Sequence, residues 1–265
     1  MGQTIETVRK AVEVLRCFDG STPDLGITEI STRLGHPKSA VHRLVRTLEE
    51  SGFLERDPAT RRYRIGLACF EAGSVYLRQR PVHRLATSIL EELSRESGHS
   101  SYLGVLSAMD LVVLLAIEGT SPVRIVASAG DRFPAYACAM GKAVLAQLPR
   151  DDVERQLSGL DLKTHAGMEV RLKDLLKELE VVALRSYSTS IGEVYPGTAS
   201  VSAAVKDGKG VAIGAICVSF PMLTNVEAEI GRVAPIVVEK ARKLSDLARI
   251  QGRWVFHRSD QRSAR

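Results

Sequence analysis

Three short amphipathic stretches followed at once by a hairpin occupy the first 66 residues, and no other feature of the chain narrows its fold as far. From Thr4 to Phe18 the apolar residues Val8, Ala11, Val12, Leu15 and Phe18 recur at helical spacing. After the breaker run Gly20 to Gly26, "GSTPDLG", Thr28 is placed to cap a short helix carrying Ile30 and Leu34 and stopped by Gly35. Pro37 stands where a first helical turn tolerates it. Val41, Leu44, Val45 and Leu48 then form the next stripe, which Gly52 ends. Two extended runs, "FLER" and "RRYRIG", joined by "DPAT", read as a hairpin with a Pro-bearing turn. Helix, helix, helix, hairpin is the order of a winged helix-turn-helix.

The third stripe, "HPKSAVHRLVRTLEE", has a cationic back. With Val41 at the origin of a helical wheel, Ser39, Arg43, Arg46 and Glu50 point away from the apolar side, and His42 lies on the flank. Any surface helix needs a polar face, so such a pattern alone means only solvation. The neighbours change its meaning. A short helix and a tight turn precede it, the arrangement that presents the N-terminal half of the second helix to a major groove. The hairpin that follows holds Arg61 and Arg62 at its tip. Between Ile30 and Gly66 eight Lys or Arg face four acids, a net of +4 against +5 for the whole chain, so much of the basic excess sits here. The implied partner is double-stranded DNA. Ser39, His42, Arg43 and Arg46 offer donors to base edges, with either arginine able to fork onto guanine. Lys38, Arg61 and Arg62 suit phosphates, which position without specifying. Glu50 shares the outward face, and an acid near phosphate would repel it, so it is expected beyond the contact.

Leu67 to Arg80 reads as a connecting helix ending at Pro81, and residues 82–97 as another helix closed by Gly98. Beyond it the texture is β-rich, with "SYLGVLSA", "LVVLLAIEG" and "VRIVASAG" as short branched runs. A helix in "ACAMGKAVLAQLP", another from about Val170 to Arg185, strands "TASVSAAVKD" and "GVAIGAICVSF", and a last helix from Asn225 to about Ile250 complete the pattern. Hairpins between strands and helices at both ends argue an antiparallel α+β domain of sensor type. The tail "RWVFHRSDQRSAR" is expected to be disordered.

Other chemistries find little support. No apolar run is long enough to span a bilayer and the N-terminus lacks the layout of a secretory signal, so a cytoplasmic location and no membrane partner are expected. The four cysteines are far apart with no C-x-x-C pair, which reads as buried free thiols. For Cys138, beside a presumed pocket, a thiol switch stays open. The six histidines show no ligand spacing, so neither a metal nor a cofactor is expected. Gly141-Lys142 suggests a phosphate loop, but Tyr136 stands where that loop needs Gly, and Ala143 where it needs Ser or Thr. Lys142 is therefore structural or surface. No G-x-S-x-G elbow is present, and no enzyme is expected. An enzyme turning over a small acid, and an architectural DNA-binding protein without a ligand, remain as rivals.

The residues "ITEISTRLGHPKSAVHRLVRTLEESGFLERDPATRRYRIG" resemble the IclR family of bacterial transcriptional regulators. So do "GDRFPAYACAMGKAVLA" and, much later, "STSIGEVYPGTASVSAAVKDGKGVAIGAICVSFP". The resemblance spans about residues 5–250. It implies a winged helix-turn-helix domain over 1–66, a linker helix over 67–80, a GAF-like effector domain over 81–250 and a tail over 251–265. It implies a homodimer or homotetramer on palindromic operators, controlling catabolic operons and answering to small organic acids or aromatic compounds, most simply a carboxylate. The first amides of the helix in "AYACAMGKAVLA" would suit such a group. Matched residue by residue, the family's effector pocket falls on Phe133, Ala139, Met140, Ser190, Glu193, Thr198, Ser200, Cys217 and Ser219. Members that bind glyoxylate-like acids carry consecutive acids followed by a cysteine. Here Ser190-Ile191-Gly192-Glu193 and then Ser200 stand instead, which leaves the effector open, as it leaves the sign of regulation.

Overall fold

Four helices and a three-stranded antiparallel sheet build the first unit, Met1–Arg80, in a computed structural model that describes residues 4–20, 22–78, 82–123, 127–223 and 225–251. The elements are α1 (Glu6–Leu15), β1 (Asp24–Leu25), α2 (Ile27–Leu34), α3 (Lys38–Glu50), β2 (Leu54–Arg56), β3 (Tyr63–Ile65) and α4 (Leu67–Arg78), with the strands in the order β1-β3-β2. Val14, Leu25, Ile30, Val41, Val45, Leu48, Leu54 and Tyr63 meet in one core. Each large aliphatic side chain buried there contributes about 1.5–3 kcal/mol.

Two local expectations are corrected. On α1 Val14 is buried, and Ala11, Leu15 and, beyond the helix, Phe18 pack half-buried against the core, whereas Val8 and Val12 are 59% and 42% exposed. The helix is apolar over a wider arc than α2 and α3 can cover, and contact with them selects which side turns in. Thr28 does not cap α2, because the helix already begins at Ile27. Gly26 is the cap, and its N–H donates to Glu29 Oε2 at 2.7 Å.

The second unit, Pro81–Arg265, is α+β. Its elements are α5 (Val82–Ser97), β4 (Ser100–Ser107), β5 (Asp110–Ile117), β6 (Arg132–Pro134), a 3₁₀ turn Ala135–Ala137, α6 (Ala139–Leu145), α7 (Arg150–Leu157), α8 (Leu172–Arg185), β7 (Ser188–Ile191), β8 (Thr198–Lys206), β9 (Ala212–Pro221) and α9 (Val226–Gln251). All six strands pair antiparallel in the order β6-β5-β4-β9-β8-β7. Side chains alternate across the sheet. Val201, Ala203 and Val205 of β8 with Ile216, Val218 and Phe220 of β9 pack against Ile89, Leu90 and Leu93 of α5 and Val233, Val237 and Leu244 of α9. The opposite face meets α6 through Tyr102, Leu111, Val113, Ala215 and Cys217. Helices α7 and α8 cover the outer side of α6 through Leu145, Val153, Leu157, Leu175 and Leu179.

Strands β6 and β7 and helix α7 were not anticipated. All three are short, and their side chains alternate or repeat over too few residues to stand out from loop sequence. Of the expected strand "VRIVASAG", residues 124–126 lie outside the described residues, and Ala127 and Ser128 are not in a strand. The expected end of the linker helix at Pro81 also lies outside them, as does the expected tail over 251–265 apart from Gln251, which closes α9. Among the described residues no helix is long and apolar enough to cross a membrane.

A polar node ties the start of β4 to α9. His99 Nε2 lies 2.6 Å from Glu229 Oε1, His99 stacks on Phe220, and Arg232 reaches both Glu229 and the Ser97 carbonyl. The Arg232 guanidinium first, and His99 after it, hold the Glu229 carboxyl down at about 2 against the opposing effect of burial. A depressed carboxylate stabilises the fold above its unfolded value near 4.5, and the contribution is lost as pH falls through about 2. Glu229→Gln is therefore expected to cost about 1–2 kcal/mol near neutral pH. Thermal unfolding of both proteins should show the gap closing as pH is lowered toward about 2; a gap independent of pH would contradict this role.

Candidate nucleic-acid interface and ligand cavity

The face of α3 opposite Val41, Val45 and Leu48 carries Ser39, Arg43 and Arg46, with His42 on its flank and Lys38 at the helix start, all exposed. Three buried aliphatics one and two turns apart fix the helix in roll, so the outward residues hold fixed directions. Among the described residues the side chains of Lys38, Ser39, His42 and Arg43 have no polar partner within the unit. Arg46 Nε donates to Glu50 Oε1 at 2.8 Å, which holds the guanidinium along the helix and raises its pKa. Glu50 thus acts on the outward face by orienting Arg46.

The hairpin between β2 and β3 separates its two arginines. Asp57 Oδ1 accepts from Ala59 N at 2.8 Å and Thr60 N at 3.3 Å, which folds the turn and lowers the Asp57 pKa. Arg61 follows in the left-handed region at φ 59°, exposed, with its N–H on the Asp57 carbonyl. Arg62 turns the other way. Its Nε pairs with Asp24 of β1, and its Nη2 donates to Glu29 of α2 at 3.0 Å and to the Asp24 carbonyl at 3.1 Å. The sequence places both arginines at the hairpin tip. Here the Arg62 charge is met inside the unit by two acids, one of which also caps α2. Sequence spacing between Asp24, Glu29 and Arg62 carried no signal for this.

In the second unit, Phe133, Ala139, Met140, Thr198, Ser200, Cys217 and Ser219 line one cavity of about 40 Å³. Tyr102, Ala127, Cys138, Val194 and Tyr195 complete its wall. Strand alternation accounts for the membership. Tyr102 of β4, Ser200 of β8 and Cys217 and Ser219 of β9 face the same side of the sheet, and α6 closes over them with Ala139 and Met140. The hydroxyls of Ser200 and Ser219 lie 2.7 Å apart, and the Cys217 sulfur is 3.9 Å from Ser219 Oγ. At one edge Phe133, His165 and Tyr195 meet edge to face, with centroids 5.5 to 6.2 Å apart.

Two of the nine expected pocket residues stand elsewhere. Ser190 is buried in β7 opposite Ser200 but does not line the cavity. Glu193 turns from the cavity to Lys142, whose side chain is 1% exposed and also meets Glu178. Lys142 is structural, and the surface alternative is excluded by that burial.

Burial pushes the thiols of Cys138 and Cys217 up to about 12, so both are neutral near pH 7. The thiol-switch reading of Cys138 does not fit a sulfur that is buried, protonated and engaged as the cap of α6, where it accepts from Gly141 N at 3.4 Å. That contact also takes one of the amides thought open to a carboxylate. Among the described residues no group of three or more His, Cys, Asp or Glu is placed to hold a metal ion. Tyr102, Ala127, Val194 and Tyr195 carry no local sequence signal for this position, because the sheet and the loops that bring them together are set by tertiary packing.

Comparison with known proteins gives this geometry its context. Residues 7–58 match the family described as the IclR helix-turn-helix domain, and residues 74–246 match that described as bacterial transcriptional regulator IclR C-terminal. The HTH-type transcriptional regulator KipR of Bacillus subtilis is 32% identical over 201 residues, 76% of this chain and 80% of its own. Among solved structures, an IclR transcriptional regulator from Alicyclobacillus acidocaldarius superposes with a TM-score of 0.82 at 24% identity, covering 93% of this chain and 100% of that one. An IclR homologue from Microbacterium hydrocarbonoxydans, solved with 4-hydroxybenzoate, gives 0.75 at 22% identity, covering 91% and 98%. These relatives are regulators of transcription rather than enzymes. With both its domains matched in order, the chain belongs to the IclR family of DNA-binding transcriptional regulators.

Proposed function

We propose that the protein reads a palindromic operator as a homodimer or a dimer of dimers, and that a small organic acid or aromatic effector in the cavity controls this binding. The observation that carries the first half is the outward face of α3, where a roll-fixed helix offers Ser39, His42 and Arg43 with no partner among the described residues. Arg43 and Arg46 read base edges, Arg46 from the position Glu50 sets, and Lys38 and Arg61 contact phosphate. Arg62 holds the hairpin to β1 and α2, so it positions Arg61 rather than touching DNA itself.

The cavity supports the second half. It combines apolar walls with a few converging hydroxyls, the composition of a small-molecule site. A solved structure of the same fold carries 4-hydroxybenzoate, which favours an aromatic acid as the first compound to try. At about 40 Å³ the cavity holds only a few water molecules, so an aromatic effector enters only if side chains such as Met140 or Tyr195 move. The effector acts by binding one arrangement of the dimer more tightly than another, and no other property can shift the equilibrium. Control of a catabolic operon goes with this reading.

Two experiments test it. In gel-shift titrations Arg43→Ala is expected to lose about 1–3 kcal/mol of discrimination between operator and random DNA. Arg61→Ala should weaken both alike and reduce the salt slope by about one. Equal losses on both DNAs for both variants would contradict the assigned roles. Ser200→Leu fills the cavity, so it is expected to keep operator binding and abolish the response to effector in a panel of organic and aromatic acids. Retention of that response would place the effector elsewhere.

A further inference from the structure

The segment Gly192 to Gly197, "GEVYPG", brings Val194 and Tyr195 to the cavity. Both of its end glycines have left-handed backbone, φ 70° and 79°, so the chain turns sharply at each end of a four-residue strip. The lining residues from β4, α6 and the middle of β9 are buried, whereas Val194, Tyr195, Thr198 and Ala127 are half-buried, so this strip lies on the solvent side of the cavity. Met222 N donates to the Gly197 carbonyl at 2.8 Å, Thr198 N and Oγ1 donate to the Tyr195 carbonyl at 3.2 and 2.8 Å, and the Tyr195 ring meets Phe133 and His165. Three further contacts tie the strip down. Gly192 N donates to the Thr198 carbonyl at 2.8 Å, which closes the strip on itself. Ala166 N donates to the Glu193 carbonyl at 3.0 Å and ties it to the loop that carries His165. The Glu193 carboxylate receives Lys142 Nζ on both oxygens, at 2.9 and 3.0 Å.

Lys142 belongs to α6, the helix that supplies Ala139 and Met140 to the opposite wall. Its ammonium is out of water, and its second carboxylate, Glu178 of α8, lies at 2.7 Å. A buried cation that loses a carboxylate partner loses compensation that water, excluded from the site, does not replace. The pair therefore joins the strip to α6 by the one side-chain contact in it that is both charged and anchored in the core among those described.

We infer that Lys142 and Glu193 are positioning residues: their ion pair pins the strip 192–197 over the cavity and sets how readily it opens. That this governs effector affinity rests on the reading of the cavity given above; the opening itself does not. Glu193→Ala frees the strip while leaving Lys142 paired with Glu178, so the fold keeps its buried cation compensated. Glu178→Ala removes the other carboxylate and leaves the strip pinned.

Cys138 and Cys217 line the cavity and report its opening without any ligand. Maleimide labelling of the full-length protein, resolved by peptide mass spectrometry, is expected to show both thiols modified roughly tenfold faster or more in Glu193→Ala. Cys17, in the other unit, should label at the wild-type rate. Glu193→Gln, which still accepts from Lys142, should restore slow labelling, and Glu178→Ala should not accelerate it. Unchanged rates at Cys138 and Cys217 in Glu193→Ala would overturn the inference. So would equal acceleration by Glu178→Ala, or a uniform rise at Cys17 with a lower melting temperature. In parallel, 4-hydroxybenzoate serves as the binding probe by calorimetry. If no acid in the panel binds the wild type although Glu193→Ala exposes the two thiols, the pinning stands and the effector reading falls.

Discussion

Strands β8 and β9 must serve two different neighbours, and the second unit follows from how their alternation divides that task. One face carries Val201, Val205, Ile216, Val218 and Phe220, large enough to fill the layer under α5 and α9. The other carries Ser200, Ser202, Ala204, Ala215, Cys217 and Ser219, which are all small. A helix packed over small side chains cannot close every gap, because α6 is held off by its own Met140 and by Tyr102 and Phe133 around it. The cavity is the volume left by that mismatch. Its polar character comes from the same positions, since the residues small enough to leave space are serines as well as alanines.

The first unit divides its work across a single helix. Val41, Val45 and Leu48 stabilise α3 against α1 and α2, and that packing is what makes the opposite side a rigid array rather than a mobile surface. The acids near this array are arranged with equal care. Glu50 orients Arg46, and Asp24 and Glu29 draw Arg62 inward, so the acids set which cations stay available. Net charge counts all of them alike and therefore overstates the free positive face.

Buried or half-buried ions recur as joints between elements. Lys142 joins α6, α8 and the strip at the cavity; Lys240 joins α9 to Glu92 and Glu96 of α5; Glu229 joins α9 to the start of β4. In each, a charge removed from water demands partners at fixed distance, which specifies geometry more sharply than apolar contact does. None of the three was visible as a pair in the sequence, because the partners lie 36 to 148 residues apart.

What the chain determines by itself is periodicity and punctuation. The stripe of α3, the glycines that end its helices, the two-residue alternation of β8 and β9, and the motif blocks over 27–66 and 130–146 suffice for most of the order of elements and for the division into two units. Those features are local, written in neighbours along the chain. Which side of α1 turns in, where Arg62 points, why Glu193 leaves the cavity for Lys142 and why β7 is a strand were decided only by the tertiary structure. Each depends on a partner distant in sequence, and the energy that fixes it, burial of one apolar arc over another or compensation of a charge out of water, exists only once those partners are in contact.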